Sequence, residues 1–156
     1  MVRFVDQVQA AGRYEITRNA LNAQGARVST GVYLYNLGFA FQDAGRDVEA
    51  GLIYNQIFTM HARAPIVAKA CNQLGLIALT QNDLNTARQM FQRAVRVVPR
   101  SAVSHSNLAL VKFQQGNITE AKKHIEDALM YQPDFAEVYY QRGVVQERLD
   151  QKDNAI

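Results

Sequence analysis

Tryptophan is absent from the chain, cysteine occurs once and proline three times in 156 residues. One thiol can neither close a disulfide within the chain nor build a cysteine-based zinc site. No apolar run nears the ~20 residues that a bilayer-spanning helix needs, so membrane insertion is not expected. The N-terminus has no charged stretch followed by an apolar one, so no signal peptide is expected either. The cytoplasm is the expected compartment, although a lone thiol tolerates reducing and oxidising surroundings alike. No stretch joins β-branched residues to strict alternation, which argues against strands. What is present is ordinary for a globular chain: 48% hydrophobic and 20% charged residues exclude wholesale disorder.

The apolar residues recur at three- and four-residue intervals, as in Leu34-Leu37-Phe41 and Ala87-Met90-Phe91-Ala94-Val95. That period places them on one face of a helix and predicts an all-α chain of segments roughly 12 to 15 residues long. The pattern also repeats. Gly38, Gly75, Ala109 and Gly143 stand 37, 34 and 34 residues apart, three of them after a leucine (Leu37, Leu74, Leu108). Twelve residues after each comes an alanine: Ala50, Ala87, Ala121 and Ala155. Four further on stand Tyr54, Phe91 and Ile125, and three beyond those Ile57, Ala94 and Ala128. Pro99 and Pro133 close two of the units, and Gly45, Asn82 and Gly116 lie midway, where one helix must stop and turn into the next.

Packing explains each feature. The small residue lets two antiparallel helices approach, the alanine is the matching small surface on the second helix, and the large residue four later is expected to fill the space between the units. Proline starts the next turn because it cannot continue a helix. Asn117 before Glu120 and Asp134 before Glu137 have the spacing of reciprocal N-terminal caps.

A 34-residue helix–turn–helix unit with Leu-Gly, then Ala-x3-Phe-x2-Ala, then Pro resembles the tetratricopeptide repeat. Residues 68–101 carry the match most fully through Leu74, Gly75, Ala87, Phe91, Ala94 and Pro99. Residues 102–135 follow with Leu108, Ala109, Ala121, Ala128 and Pro133. Residues 31–67 match through Leu37, Gly38, Phe41, Ala50 and Tyr54, with three extra residues around Met60–Pro65. A partial unit is expected over 1–30, where Gly12-Arg13-Tyr14 and Leu21 look like a turn and second helix, and a truncated one over 136–156. The resemblance departs from the family at its tryptophan, replaced by Leu34, Cys71, His105 and Tyr139, and at Arg142, where leucine is usual. It implies a single array folded as an α-α superhelix of antiparallel helix pairs. Because arrays finish with a polar capping helix, a chain that stops at Ala155-Ile156 is expected to be part of a longer one.

Catalysis is not expected, and no cofactor is. Cys71 and His105 occupy equivalent places in successive units, which would allow a thiolate–imidazole pair. Both stand, however, where a buried aromatic belongs, and a buried cysteine is a small apolar filler. His61 falls in the 59–65 connection and His124 beside Lys122-Lys123, and neither joins a metal-ligand spacing. No phosphate-cradling glycine loop or nucleophile elbow occurs.

Charge is unevenly spread. Over 86–124, Arg88, Arg93, Arg96, Arg100, Lys112, Lys122 and Lys123 face Glu120 alone, whereas 125–156 holds three basic and seven acidic residues. The basic segment reads first as the solvated outer face of second helices and second as a site for an acidic protein. Nucleic acid is disfavoured, because its binding surfaces are broader and carry stacking aromatics.

A helical solenoid offers its concave face, lined by first helices, as its binding surface. The positions three and two before and one after the small residue should point inward. They are Tyr35, Asn36 and Phe39; Asn72, Gln73 and Leu76; Ser106, Asn107 and Leu110; and Tyr140, Gln141 and Val144. Asn36, Gln73, Asn107 and Gln141 form a row of carboxamides, whose donors and acceptor suit an extended peptide backbone. This row is similar to the asparagine ladder of some arrays in the family; the alternatives are that Asn and Gln merely suit a polar helix surface, or that the asparagine bonds a neighbouring helix. Another subset of the family clamps two carboxylates with lysines and asparagines. Asn36 and Lys69 match two of its places, but Val2 and Asp6 stand where lysine and asparagine are needed, and a register shifted by one unit meets Asn72 and Leu76. The expected function is therefore a scaffold for a protein or peptide partner held in the groove. The alternatives are an assembly module, self-associating through uncapped ends and its charge asymmetry, and the recognition segment of a larger enzyme.

Overall fold

The computed structural model describes residues 29–60 and 62–153. Most of the expected partial unit, with Gly12, Arg13, Tyr14 and Leu21, lies outside them, as do Val2, Asp6, His61, Ala155 and Ile156. The described residues form helices α1 (Thr30–Asp43), α2 (Asp47–Thr59), α3 (Ala64–Thr80), α4 (Leu84–Val97), α5 (Ala102–Gln114), α6 (Ile118–Tyr131) and α7 (Ala136–Asp153), and no strand. Most are as long as the periodicity predicts, but α3 has 17 residues and α7 has 18. The extra residues around Met60–Pro65 lie in the α2–α3 connection and the first turn of α3. Pro65 sits in that turn, where a helix has no use for the missing N–H.

The turns inside the helix pairs share one chemistry. Gly45, Asn82 and Gly116 adopt φ of 72°, 58° and 76°, the left-handed conformation that glycine takes freely and asparagine tolerates. At each, the next residue's N–H reaches back into the last turn: Arg46 to Phe41 O, Asp83 to Ala78 O and Asn117 to Lys112 O, at 2.9, 2.8 and 2.9 Å. Paired with a shorter bond from the left-handed residue itself, this stops a helix by satisfying its last carbonyls. The following helix is capped at once where the side chain allows. Asp83 accepts from Thr86 N at 3.0 Å and Asn117 from Glu120 N at 3.5 Å, while Ser101 caps α5 through Ser104 N at 3.3 Å. Asp134 is not such a cap, because α7 begins at Ala136 and the residue before it is Phe135.

Helices α1/α2, α3/α4 and α5/α6 are antiparallel pairs, α7 packs on α6 and α5, and successive first helices touch one another (α1 with α3, α3 with α5, α5 with α7). Each interior is built around a large side chain of a second helix: Tyr54, Phe91 and Ile125, all essentially inaccessible. What faces them differs. A Cβ placed on Gly38 would lie 2.6 Å from Tyr54 Cε1, and one on Gly75 would lie 2.7 Å from Phe91 Cζ, both inside van der Waals contact. Opposite the smaller Ile125, Ala109 fits in the same cluster. At Gly143 a Cβ would meet nothing within 4 Å.

Two glycines of the same repeat position should thus respond oppositely to alanine. Gly75→Ala drives a methyl into the Phe91 ring. It should cost about 1–3 kcal/mol of overpacking, partly offset by the ~1 kcal/mol that alanine gains in a helix. Gly143→Ala should stabilise by about 0.5–1 kcal/mol. Combining Gly75→Ala with Phe91→Ile, the pairing found at Ala109 and Ile125, should cost less than the sum of the single changes in urea unfolding. Additive losses would mean that the glycine is not there for the ring.

Candidate functional site

The first helices bring the inward-pointing residues into two depressions. One, of about 340 Å³, lies over α3 between α1 and α5 and is lined by Tyr35, Lys69, Asn72, Gln73, Leu76 and Asn107, together with Pro65, Ala68, Val98, Ser101 and Val103. The other, of about 170 Å³, lies between α5 and α7 and is lined by Leu110, Tyr140, Gln141 and Val144, with Ala109, Phe113, Ile125, Glu137 and Val145. Asn36, Phe39 and Ser106 line neither: Asn36 and Phe39 are exposed on α1, whereas Ser106 is buried; Phe39 is 51% accessible and Tyr140 is 72% accessible.

The polar groups of this face have divided roles. Gln73 Nε2 donates to the Tyr35 hydroxyl at 3.2 Å, and Ser106 Oγ donates to Gln141 Oε1 at 3.0 Å. Asn72 is buried and donates from Nδ2 to Ser104 Oγ at 3.0 Å, and Ser104 Oγ in turn donates to Ser101 Oγ at 2.8 Å. These bonds join consecutive first helices. Asn72 Oδ1, buried in the floor of the larger depression, has no hydrogen-bond partner. Of the carboxamide row, Gln73 and Gln141 are held by neighbouring helices, whereas Asn36 is exposed and Asn107 half-buried, with no side-chain hydrogen bond to a described residue. Lys69 Nζ lies 5.6 Å from the centre of the Tyr35 ring, within reach of the ring's negative face.

The sequence pattern does not single out the rest of the lining. Pro65, Val98, Ser101 and Val103 come from the connections and first turns that wall the groove. Those segments have no helical period to mark their inward side.

The positions that replace the family's tryptophan part company. Leu34 and Cys71 are fully buried and His105 nearly so, but Tyr139 is exposed, with its hydroxyl on Pro133 O at 2.8 Å. Val138, one residue earlier, takes the buried place in α7. Cys71 packs with Ala68 and Ala94, and burial pushes its thiol up. His105 faces α6 instead, so the two residues make no thiol–imidazole pair. His124, read from sequence as joining no metal-ligand spacing, lies with its Nδ1 3.2 Å from His105 Nδ1 and 3.8 Å from Asp127 Oδ2.

The basic segment is likewise not one surface. Lys112 is ion-paired with Glu120, and Arg93 stacks on Phe58 with Cζ 3.9 Å from the ring centre. Arg96, Lys122 and Lys123 are exposed. No described helix is long and apolar enough to cross a membrane.

Residues 78–142 match the model of the tetratricopeptide repeat family, and no curated protein matches the chain. Several solved structures share the fold at low identity. The crystal structure of MamA superposes with a TM-score of 0.68 at 22% identity, over 81% of this chain and 72% of that one. The first TPR of Spaghetti (RPAP3), bound to the HSP90 peptide SRMEEVD, gives 0.70 at 17% identity, over 83% of this chain and 97% of that one. A mutant Thermobaculum terrenum O-GlcNAc transferase gives 0.67 at 22% identity over 74% of this chain but only 22% of its own.

Burial of Cys71 makes a direct test of this geometry. The native chain should react with a thiol reagent orders of magnitude more slowly than the unfolded one, since the thiolate is both disfavoured and covered. Cys71→Ala should cost on the order of 1 kcal/mol for the lost apolar group, read from thermal unfolding. Rapid native labelling would place Cys71 at the surface.

Proposed function

We propose that this chain, a tetratricopeptide repeat protein in its fold and in the sequence of residues 78–142, is an interaction scaffold that holds an extended peptide segment in its concave groove. The observation that carries this reading is the larger depression. Its lining sets an amide with no side-chain hydrogen bond to a described residue, Asn107, beside the apolar Leu76, Val98 and Val103. A mixture of this kind suits a backbone that must be hydrogen-bonded while its side chains are desolvated. Tyr140, Leu110 and Val144 continue the same face to the second depression, and Asn36 and Phe39 extend it along α1. The neighbour bound to the HSP90 peptide SRMEEVD supports a peptide as the class of ligand. The peptide here is held through its backbone rather than by a clamp on carboxylates, because Asn36 and Lys69 supply only part of such a clamp.

The two amides with no side-chain hydrogen bond to a described residue provide the test, since Asn36→Ala and Asn107→Ala break no hydrogen bond among the described residues. Peptides selected from a random library on the wild-type chain are the probe. At about 0.5–1.5 kcal/mol net per hydrogen bond, each change should weaken binding several-fold and the pair by roughly tenfold, with an unchanged melting temperature. The loss should be alike for peptides of different sequence and indifferent to salt, because the contacts are neutral. Full binding by the double amide variant, with loss in a Lys122→Ala/Lys123→Ala variant and steep salt dependence, would move the site to the basic face.

A further inference from the structure

Three side chains of the α5/α6 pair converge on one point. His105 Nδ1 lies 3.2 Å from His124 Nδ1 and 3.5 Å from Asp127 Oδ2, and the latter two atoms are 3.8 Å apart. His124 and Asp127 are three residues apart on one face of α6, and His105 reaches them from the first turn of α5. A metal ion bound tetrahedrally at the Zn–N and Zn–O lengths of about 2.0–2.2 Å holds its ligand atoms about 3.3–3.5 Å from one another. Two sides of the observed triangle, 3.2 and 3.5 Å, are close to that size, and the third, 3.8 Å, is somewhat longer.

The surroundings prepare the ligands. His105 Nε2 lies 3.0 Å from Pro99 O; a carbonyl only accepts, so Nε2 carries the proton and Nδ1 presents its lone pair to the cluster. A backbone carbonyl on the far nitrogen is the support that metal-bound imidazoles commonly have. Without an ion, two imidazole nitrogens this close must share a proton, so His124 Nδ1–H donates to His105 Nδ1. The site is sheltered on one side, the His105 side chain being 7% accessible. It is open on the other, with His124 at 19% and Asp127 at 28%, which leaves room for a water as fourth ligand. Asp127 supplies negative charge, and the nearby ammonium of Lys112 is occupied by Glu120.

We propose that His105, His124 and Asp127 form a binding site for a first-row divalent cation, Zn²⁺ foremost, that clasps α5 to α6. Two imidazoles and a carboxylate are the donor set such cations prefer, whereas Mg²⁺ and Ca²⁺ seek oxygen ligands. The ion takes the place of the shared proton, which moves through water to His124 Nε2, so neutral histidines remain neutral. The clasp fixes α5 at the turn before Ser106 and Asn107, the part of the helix that borders the groove.

The test uses the full chain stripped of metal with a chelator and titrated with Co²⁺ as a spectroscopic probe, then with Zn²⁺. One equivalent of Co²⁺ should produce the intense visible bands of a tetrahedral site, Zn²⁺ should bleach them, and Zn²⁺ but not Mg²⁺ should raise the melting temperature. His124→Ala and Asp127→Asn should each weaken binding by at least the about 100-fold that even a supporting partner can contribute, with a metal-free circular dichroism spectrum like that of the wild type. His61→Ala should change nothing. Asp127→Asn is isosteric and half-buried, so it decides the matter if His124→Ala does not fold. Absence of tetrahedral bands, binding that survives both ligand substitutions, or binding lost only with His61→Ala would each overturn the site.

Discussion

The seat between a small residue on one helix and a ring on its partner sets the spacing of everything else. At Gly38/Tyr54 and Gly75/Phe91 the ring occupies the space where a Cβ would be, so the two helices of a pair meet at a distance only glycine permits. The third pair reaches the same arrangement by trading the ring for the smaller Ile125, which leaves room for the methyl of Ala109. A close-packed interior leaves no slack for other combinations. Once the pair distance is fixed, the next pair must stack on what remains, chiefly Ala70, Ile77, Leu108, Val111 and Val138. The orientation of each first helix toward the groove follows. Tyr54 shows how tight the seat is: its hydroxyl donates to Gln42 Oε1 at 3.1 Å, and burial pushes its phenol up, so it stays a donor.

A second, polar layer lies over this apolar one. Gln73 with Tyr35, Asn72 with Ser104 and Ser106 with Gln141 each bridge adjacent first helices. Apolar contact is non-directional, whereas these bonds fix the sliding register of one unit on the next. The same residue types that could read a peptide are therefore partly consumed in building the surface that would read it. Two of the four carboxamides hold the groove's shape, while Asn107 lines it without a side-chain hydrogen bond to a described residue and Asn36 stands exposed on α1.

The repeat was legible because its signals are local and recur. Left-handed turn residues at Gly45, Asn82 and Gly116, a small residue, and a large one sixteen positions later need only one chain segment to make sense. Other features depend on how segments meet. The early start of α3 at Ala64 follows from where the connection from α2 can end. Capping by Asp83 and Ser101 is local but carries no glutamate three residues on, so the capping-box spacing passed it over. Tyr139 is exposed because α7 turns Val138 inward, a rotation that the repeat alignment does not register. His105 and His124 are nineteen residues apart and meet only because the antiparallel pairing of α5 and α6 sets the first turn of one against the last turns of the other.

The basic segment gives the last step. Counted along the sequence it is a block of like charge; placed on the fold it is several things. Lys112 is paired with Glu120. Arg93 is half-buried and lies across Phe58, so its aliphatic stem and planar head cover apolar surface, and replacing it would remove packing along with charge. Arg100 lies 5.8 Å from the Tyr131 ring. Only Arg96, Lys122 and Lys123 stand free enough in solvent for a substitution to change charge and little else. Positive charge and the packing that holds the helices together therefore overlap at Arg93. Loss of binding on neutralising it would not distinguish them, whereas loss at Lys122 and Lys123 would.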